Sequence, residues 1–188
     1  MKPGPLIIIS GPSGSGKSTV IERVLKSTPW LRLSVSPTTR PPRAGEQDGV
    51  HYYFWSPEQF EREVRAGAFL EWAEVHGDRY GTLKSEVQPF REQGYGVILD
   101  IDVQGARAVR KQLPEAKLVF LRTSAFETYE RRLRERGSED EAKIQKRLAT
   151  ARRELECIGE YDFEVINDDL NVAVDKFQAI LRQLFERK

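Results

Sequence analysis

The stretch that decides the fold is "PLIIISGPSGSGKST", Pro5 to Thr19. Pro5–Ser10 is short, β-branched and apolar without a break, which is how a strand covered on both faces reads. A glycine-rich turn follows. From Lys17 apolar residues recur at helical spacing, at Val20 and Val24, until Pro29. Strand, glycine loop and helix are the context in which "GPSGSGKS" (Gly11–Ser18), a match to G-x-x-x-x-G-K-[ST], holds phosphate. Gly11, Gly14 and Gly16, with Pro12, Ser13 and Ser15 between them, let the backbone curl so that its N–H groups converge on phosphate oxygens. The helix start, with Thr19 in its first turn, adds partial positive charge. Lys17 reaches the β- and γ-phosphates, and the Ser18 hydroxyl is a ligand for Mg²⁺. Outside that context the same letters would be an ordinary Gly/Ser turn. A nucleoside triphosphate, ATP with Mg²⁺, is the ligand these residues imply.

Outward from this loop, strands and helices alternate. "YGVILDID" (Tyr95–Asp102) is a second buried strand ending in carboxylates, and "VQGARAVRKQL" after it is a short helix. "AKLVFLR" (Ala116–Arg122) is a third strand. "SAFETYERRLRER" puts Phe126, Tyr129 and Leu133 on one helical face, and Ile144, Leu148, Ala151 and Leu155 form a stripe in the charged segment that follows. "FEVIND" is a last short strand, and Val174, Phe177, Leu181 and Leu184 mark a last helix. This order predicts an α/β fold with a mostly parallel central sheet. Asp100, at the end of "VILD", stands where a carboxylate holds Mg²⁺ directly or through water. For Asp102, capping the next helix is the competing reading.

Composition bounds the rest. The 188 residues suit one domain with inserted subdomains, 39% hydrophobic and 31% charged. A formal charge of +1 gives no support to bulk nucleic-acid or membrane binding. One cysteine, Cys157, excludes an intramolecular disulfide and a cysteine metal cluster, and His51 and His76 are too few for a histidine zinc site. No early apolar run is long enough for a signal segment or a membrane span, so the expected compartment is the cytoplasm.

Residues 35–93 break the α/β rhythm. "SVSPTTRPPRAGEQDGVHYYF" (Ser34–Phe54) is a proline-stiffened loop by composition, either a linker or a binding segment. Arg40, Arg43, Tyr52 and Tyr80 offer guanidinium forks and hydroxyls suited to phosphate; a solvated surface is the plainer reading. In "FLEWAEVHGDRYGT" (Phe69–Thr82), Glu71 sits between Leu70 and Trp72. A carboxylate in apolar company needs partners, and guanine offers two adjacent donors. The alternative is a strand-edge glutamate facing water.

These blocks together, with "ILDIDVQGA", "RLRERG…KRL" and "NDDL" in the same order, resemble the guanylate kinases from the first strand to Leu170. The resemblance implies a three-layer P-loop fold, in which residues 1–34, 94–123 and 157–188 form the core, 35–93 an inserted mixed α+β GMP-binding region and 124–156 a helical lid. It implies phosphorylation of GMP and dGMP by ATP, with lid and insertion closing together. Arg40, Arg43, Tyr52 and Tyr80 would clamp the GMP phosphate; Glu71, Ser36, Thr82 and Asp102 would read guanine. Lys17, Arg136 and Arg147 would act on the transferring phosphoryl group, and Asn167 would contact adenine. Of Arg131, Arg132, Arg134 and Arg136, the residue before Gly137 is the one expected to reach phosphate. The implied partners are nucleotides, in a monomer or small homo-oligomer. Two rivals stand beside this reading: a non-catalytic phosphopeptide-binding module of the same fold, and a P-loop kinase with another phosphorylated acceptor.

Overall fold

The computed structural model describes residues 3–75, 77–135 and 140–186. Among them nine strands and seven α-helices follow one another: β1 (Leu6–Ser10), α1 (Lys17–Lys26), β2 (Leu31–Leu33), β3 (Pro37–Thr38), β4 (Tyr53–Phe54), α2 (Pro57–Arg65), β5 (Phe69–Val75), β6 (Asp78–Leu83), α3 (Lys84–Glu92), β7 (Gly96–Asp100), α4 (Val103–Gln112), β8 (Lys117–Arg122), α5 (Glu127–Glu135), α6 (Glu141–Leu155), β9 (Phe163–Ile166) and α7 (Leu170–Glu186). One sheet has the order β2-β7-β1-β8-β9, with β2–β7, β1–β8 and β8–β9 paired in parallel. A second, mixed sheet has the order β4-β3-β6-β5. The fold is therefore α/β with a parallel central sheet, as the alternating pattern predicts.

The chain forms two compact units, residues 7–29, 100–103 and 117–188 in one and residues 1–6, 30–99 and 104–116 in the other. In the first, Ile7, Ile8, Ile9, Phe120, Val165, Phe177 and Leu181 are buried, which is why β1 and β8 read as continuous apolar runs rather than alternating ones. The α7 face that packs inward carries Ala173 and Ile180 beside Phe177 and Leu181; Val174 is only half-buried. Tyr129 and Leu133 of α5 meet Ile144 and Leu148 of α6 in a small core of their own, so this charged segment is a packed helical pair.

The second unit is built around aromatic contacts. Phe60 of α2 stacks on Phe69 of β5, centroids 4.6 Å apart, and Trp55 stands edge-on to both. Ser56 accepts the backbone N–H of Gln59 at 3.1 Å, with Pro57 in the first turn of α2, so the capping signals in the sequence are used. The stiff segment 34–54 is not wholly loop: it contributes β3 and β4, which pair in parallel. Two residues each are too few for any periodicity to announce them. Buried Arg91 of α3 donates to the Gly4 carbonyl at 2.9 Å and to Glu115 at 3.1 Å, fixing the helix to the chain's start.

Candidate functional site

Three side chains tie the carbonyls of the loop between β1 and α1. Lys17 Nζ donates to the Gly11 carbonyl at 2.6 Å, Arg132 Nη1 to the Gly14 carbonyl at 3.0 Å, and Asn167 Nδ2 to the Ser15 carbonyl at 2.7 Å. Carbonyls tied to cationic or amide donors present little negative charge to an anion at the helix start. Gly16 is needed for two reasons. Its φ is 92°, and a Cβ there would lie 2.3 Å from Asn167 Nδ2. Arg132 also donates to the Asn167 carbonyl at 3.3 Å, so α5, the loop and the segment after β9 share one network.

Arg147, on α6, donates to Ser13 Oγ at 2.9 Å. The expected lid residue is thus beside the loop. Arg136 lies outside the described residues. Arg132, not singled out by the sequence, stands three residues after Tyr129 at the edge of the buried face that Tyr129 and Leu133 define. Arg134 instead pairs with Glu130 and Glu141 at the surface.

Asp100 ends β7, and burial pushes its carboxyl up while the nearby Lys17 charge opposes the shift. Ser18 is exposed in the first turn of α1. Both are hard oxygen donors of the class Mg²⁺ takes, and such ions keep several waters and rest on substrate phosphates as well. Glu154, near the end of α6 and absent from the sequence-based candidates, is also pushed up by burial, opposed by Lys17 and reinforced by Asp102. It stands seven residues after Arg147, on the same face of the helix.

In the other unit, Arg40 is 9% exposed and pairs with Glu46 through two bonds of 2.9 Å, Nη1 to Oε2 and Nη2 to Oε1. Nη1 also donates to the Pro41 carbonyl at 2.7 Å. The guanidinium lies over the Tyr52 ring, 5.4 Å from its centroid, and Tyr52 and Tyr80 meet edge to face at 6.0 Å. Burial works against the Arg40 charge, but the hydrogen bonds it donates to Glu46 and Tyr80 outweigh it and hold the group above its ordinary value. The Arg43 backbone N–H donates to Glu46 Oε2 at 2.7 Å. Arg40, Tyr52 and Tyr80 are therefore brought together, with the Arg43 backbone anchored to the same carboxylate. Glu46, six residues after Arg40 and three after Arg43, is not among the residues the sequence singles out.

Glu71 is 7% exposed and accepts the Thr82 hydroxyl at 2.7 Å. Phe69, Leu70 and Glu71 are buried in succession because the register of β5 on β6 shifts between Phe69 and Glu71. That bulge turns the carboxylate to the covered face. Gly81 permits the approach: a Cβ there would lie 2.6 Å from the Phe69 ring. Ser36 is half-buried beside β3, its carbonyl accepting Tyr53 N–H at 3.0 Å. Glu86 of α3, also unforeseen, accepts the Tyr53 hydroxyl at 2.8 Å and the Val35 N–H at 3.4 Å, bracing the backbone on either side.

Comparison with known proteins points to one family. A family model described as guanylate kinase matches residues 4–184. A guanylate kinase of Rubrobacter xylanophilus is 48% identical over 184 residues, covering 98% of this chain and 96% of its own length. One from Desulfitobacterium hafniense is 46% identical over 178 residues, covering 95% and 89%. The crystal structure of guanylate kinase from Anaplasma phagocytophilum superposes with a TM-score of 0.82 at 30% identity, covering 97% of this chain and 86% of that one.

Proposed function

The chain belongs to the guanylate kinase family, and we propose that it moves the γ-phosphoryl group of ATP onto a phosphate oxygen of GMP in one in-line step, with dGMP as a second acceptor. It is an enzyme that phosphorylates GMP at the expense of ATP. The observation that carries the acceptor's identity is the buried Glu71–Thr82 pair in a chain that also holds a complete phosphate loop. That loop favours catalysis over the phosphopeptide-binding reading.

The acceptor is a phosphate already anionic at neutral pH, so no general base is required. Positioning and charge stabilisation do the work. Arg40, Arg43, Tyr52 and Tyr80 grip the GMP phosphate. Glu71 accepts guanine N1–H and the 2-amino group, with Ser36, Thr82 and Asp102 completing the base site. The loop N–H groups from Gly11 to Thr19 cradle ATP, and Lys17, Arg147 and Arg136 meet the charge on the transferring group. Asn167, with its amide donating to Ser15 and 4% of its surface exposed, serves ATP chiefly by shaping the loop. Ser18 and Asp100 would hold Mg²⁺, which when bound neutralises charge on the ATP phosphates.

Among the described residues no helix is long and apolar enough to cross a membrane. The cytoplasm is the compartment this reading assigns, with the enzyme acting on free nucleotides as a monomer or small homo-oligomer. An ADP-release assay across GMP, dGMP, AMP, UMP, CMP and dTMP tests it. Turnover fastest with guanine nucleotides is expected; a faster acceptor of any other base overturns it.

A further inference from the structure

We propose that Glu46 is a positioning residue of the acceptor site, orienting Arg40 through its Nη1–Nη2 edge and Arg43 through its backbone so that both guanidinium groups meet the acceptor phosphate in a fixed arrangement. This rests on the reading above, in which the GMP phosphate lies at Arg40 and Arg43.

The geometry is that of a planar fork engaged by a planar carboxylate. Two parallel bonds of 2.9 Å leave the Arg40 guanidinium no freedom to rotate about its own axis. A guanidinium has five N–H donors. Glu46 takes one from each Nη, and the Pro41 carbonyl takes the other from Nη1. The Tyr80 hydroxyl takes one of the two donors that remain, Nε–H and the outer Nη2–H, so the second edge offers a phosphate one N–H beside that hydroxyl. The Tyr52 ring beneath the plane, 5.4 Å from the centroid, fixes the tilt.

The same carboxylate closes the turn that carries Arg43. Glu46 N–H donates to the Arg43 carbonyl at 3.0 Å, and Gly45 at φ 85° supplies the positive φ that the third residue of a type II turn requires. Glu46 Oε2 then accepts the Arg43 N–H at 2.7 Å. One side chain thus sets the spacing of both arginines. Burial pushes the Glu46 carboxyl up, but Arg40 and Arg43 together hold it below its ordinary value, so it stays charged.

Steady-state kinetics of the full-length enzyme and of Glu46→Gln and Glu46→Ala, with melting midpoints, test the assignment. Glu46→Gln keeps the shape but cannot accept two guanidinium bonds. The GMP KM is expected to rise about tenfold or more while the ATP KM stays within about twofold. Combining it with Arg40→Lys should cost no more than about twofold beyond the worse single variant, since the two act as a unit. Two results overturn the assignment: a GMP KM within about twofold of wild type in both Glu46 variants, or GMP and ATP KM rising together in step with a lost melting midpoint. A wild-type enzyme that turns over another acceptor and not GMP overturns the site reading itself, and the Glu46 assignment with it.

Discussion

Thr82 Oγ1 donates to Glu71 Oε1 at 2.7 Å, and the two side chains are 0% and 7% exposed. A buried carboxylate held this way is already oriented before a base arrives. AMP would turn its N1 lone pair toward Glu71, and an unmatched buried charge costs roughly 3–5 kcal/mol. Glu71→Gln should lower kcat/KM for GMP by at least about tenfold and narrow the GMP/AMP gap. Thr82→Val, which keeps the volume and removes the donor, should shift the same ratio less. Initial-rate measurements on both nucleotides check this; unchanged selectivity in Glu71→Gln would remove it from the base site.

Much of this was legible in the sequence, and the failures have physical causes. The turn between β1 and α1 is a local object whose spacing is its geometry, so strand, glycine turn and the helix start at Lys17 could be read directly. Glu71 could be suspected on chemical grounds, but the bulge that turns it inward breaks the alternation a strand is read by. Arg132 could not be told from Arg131 or Arg134, because which flank of α5 meets the loop is decided by how Tyr129 and Leu133 pack. Glu46 and Glu86 act through contacts with residues on neighbouring turns or strands, and no spacing rule marks a charge as a brace rather than a solvated side chain. The segment 34–54 hid its two strands for want of length.

Gly16→Ala meets two obstacles. A residue with a side chain at φ 92° costs about 1–2 kcal/mol. Its Cβ would also displace Asn167 Nδ2 from its bond to the Ser15 carbonyl. For a chain of this size that corresponds to a fall of roughly 2–8 °C in melting midpoint, with an ATP KM raised at least about tenfold. Calorimetry and nucleotide titration read the two effects separately.

Arg132→Ala removes the donors to the Gly14 and Asn167 carbonyls, leaving Lys17 on the Gly11 carbonyl and Asn167 on the Ser15 carbonyl to orient the loop. The ATP KM should rise about tenfold with the GMP KM within about twofold. Lysine at this position should recover little, since a single ammonium cannot span both carbonyls. Arg134→Ala, which removes surface pairs with Glu130 and Glu141, serves as the control and should leave both KM values unchanged.

Arg134 and then Gln145 hold the Glu141 carboxyl at about 2, below its ordinary 4.5. Because the folded-state value is depressed, this pair stabilises above the unfolded value and fades as pH falls through the folded one. The difference in melting midpoint between wild type and Glu141→Gln should be constant from about pH 7 to 5 and close between about pH 4.5 and 2. Both groups are exposed, so the difference should be small and should shrink further in high salt. A gap that widens on acidification would contradict the pairing.

Arg43→Ala separates a side chain from its backbone. The bond from Arg43 N–H to Glu46 Oε2 at 2.7 Å belongs to the main chain and survives the substitution, as does the turn bond from Glu46 N–H to the Arg43 carbonyl. Arg40 therefore keeps its partner, and only the second guanidinium is lost. Charge-assisted bonds to phosphate contribute about 1.5–3 kcal/mol each, so the GMP KM should rise at least about tenfold, the ATP KM should stay within about twofold, and the melting midpoint should hold. A parallel loss of ATP affinity would mean that Arg43 serves the fold or the donor nucleotide rather than the acceptor phosphate.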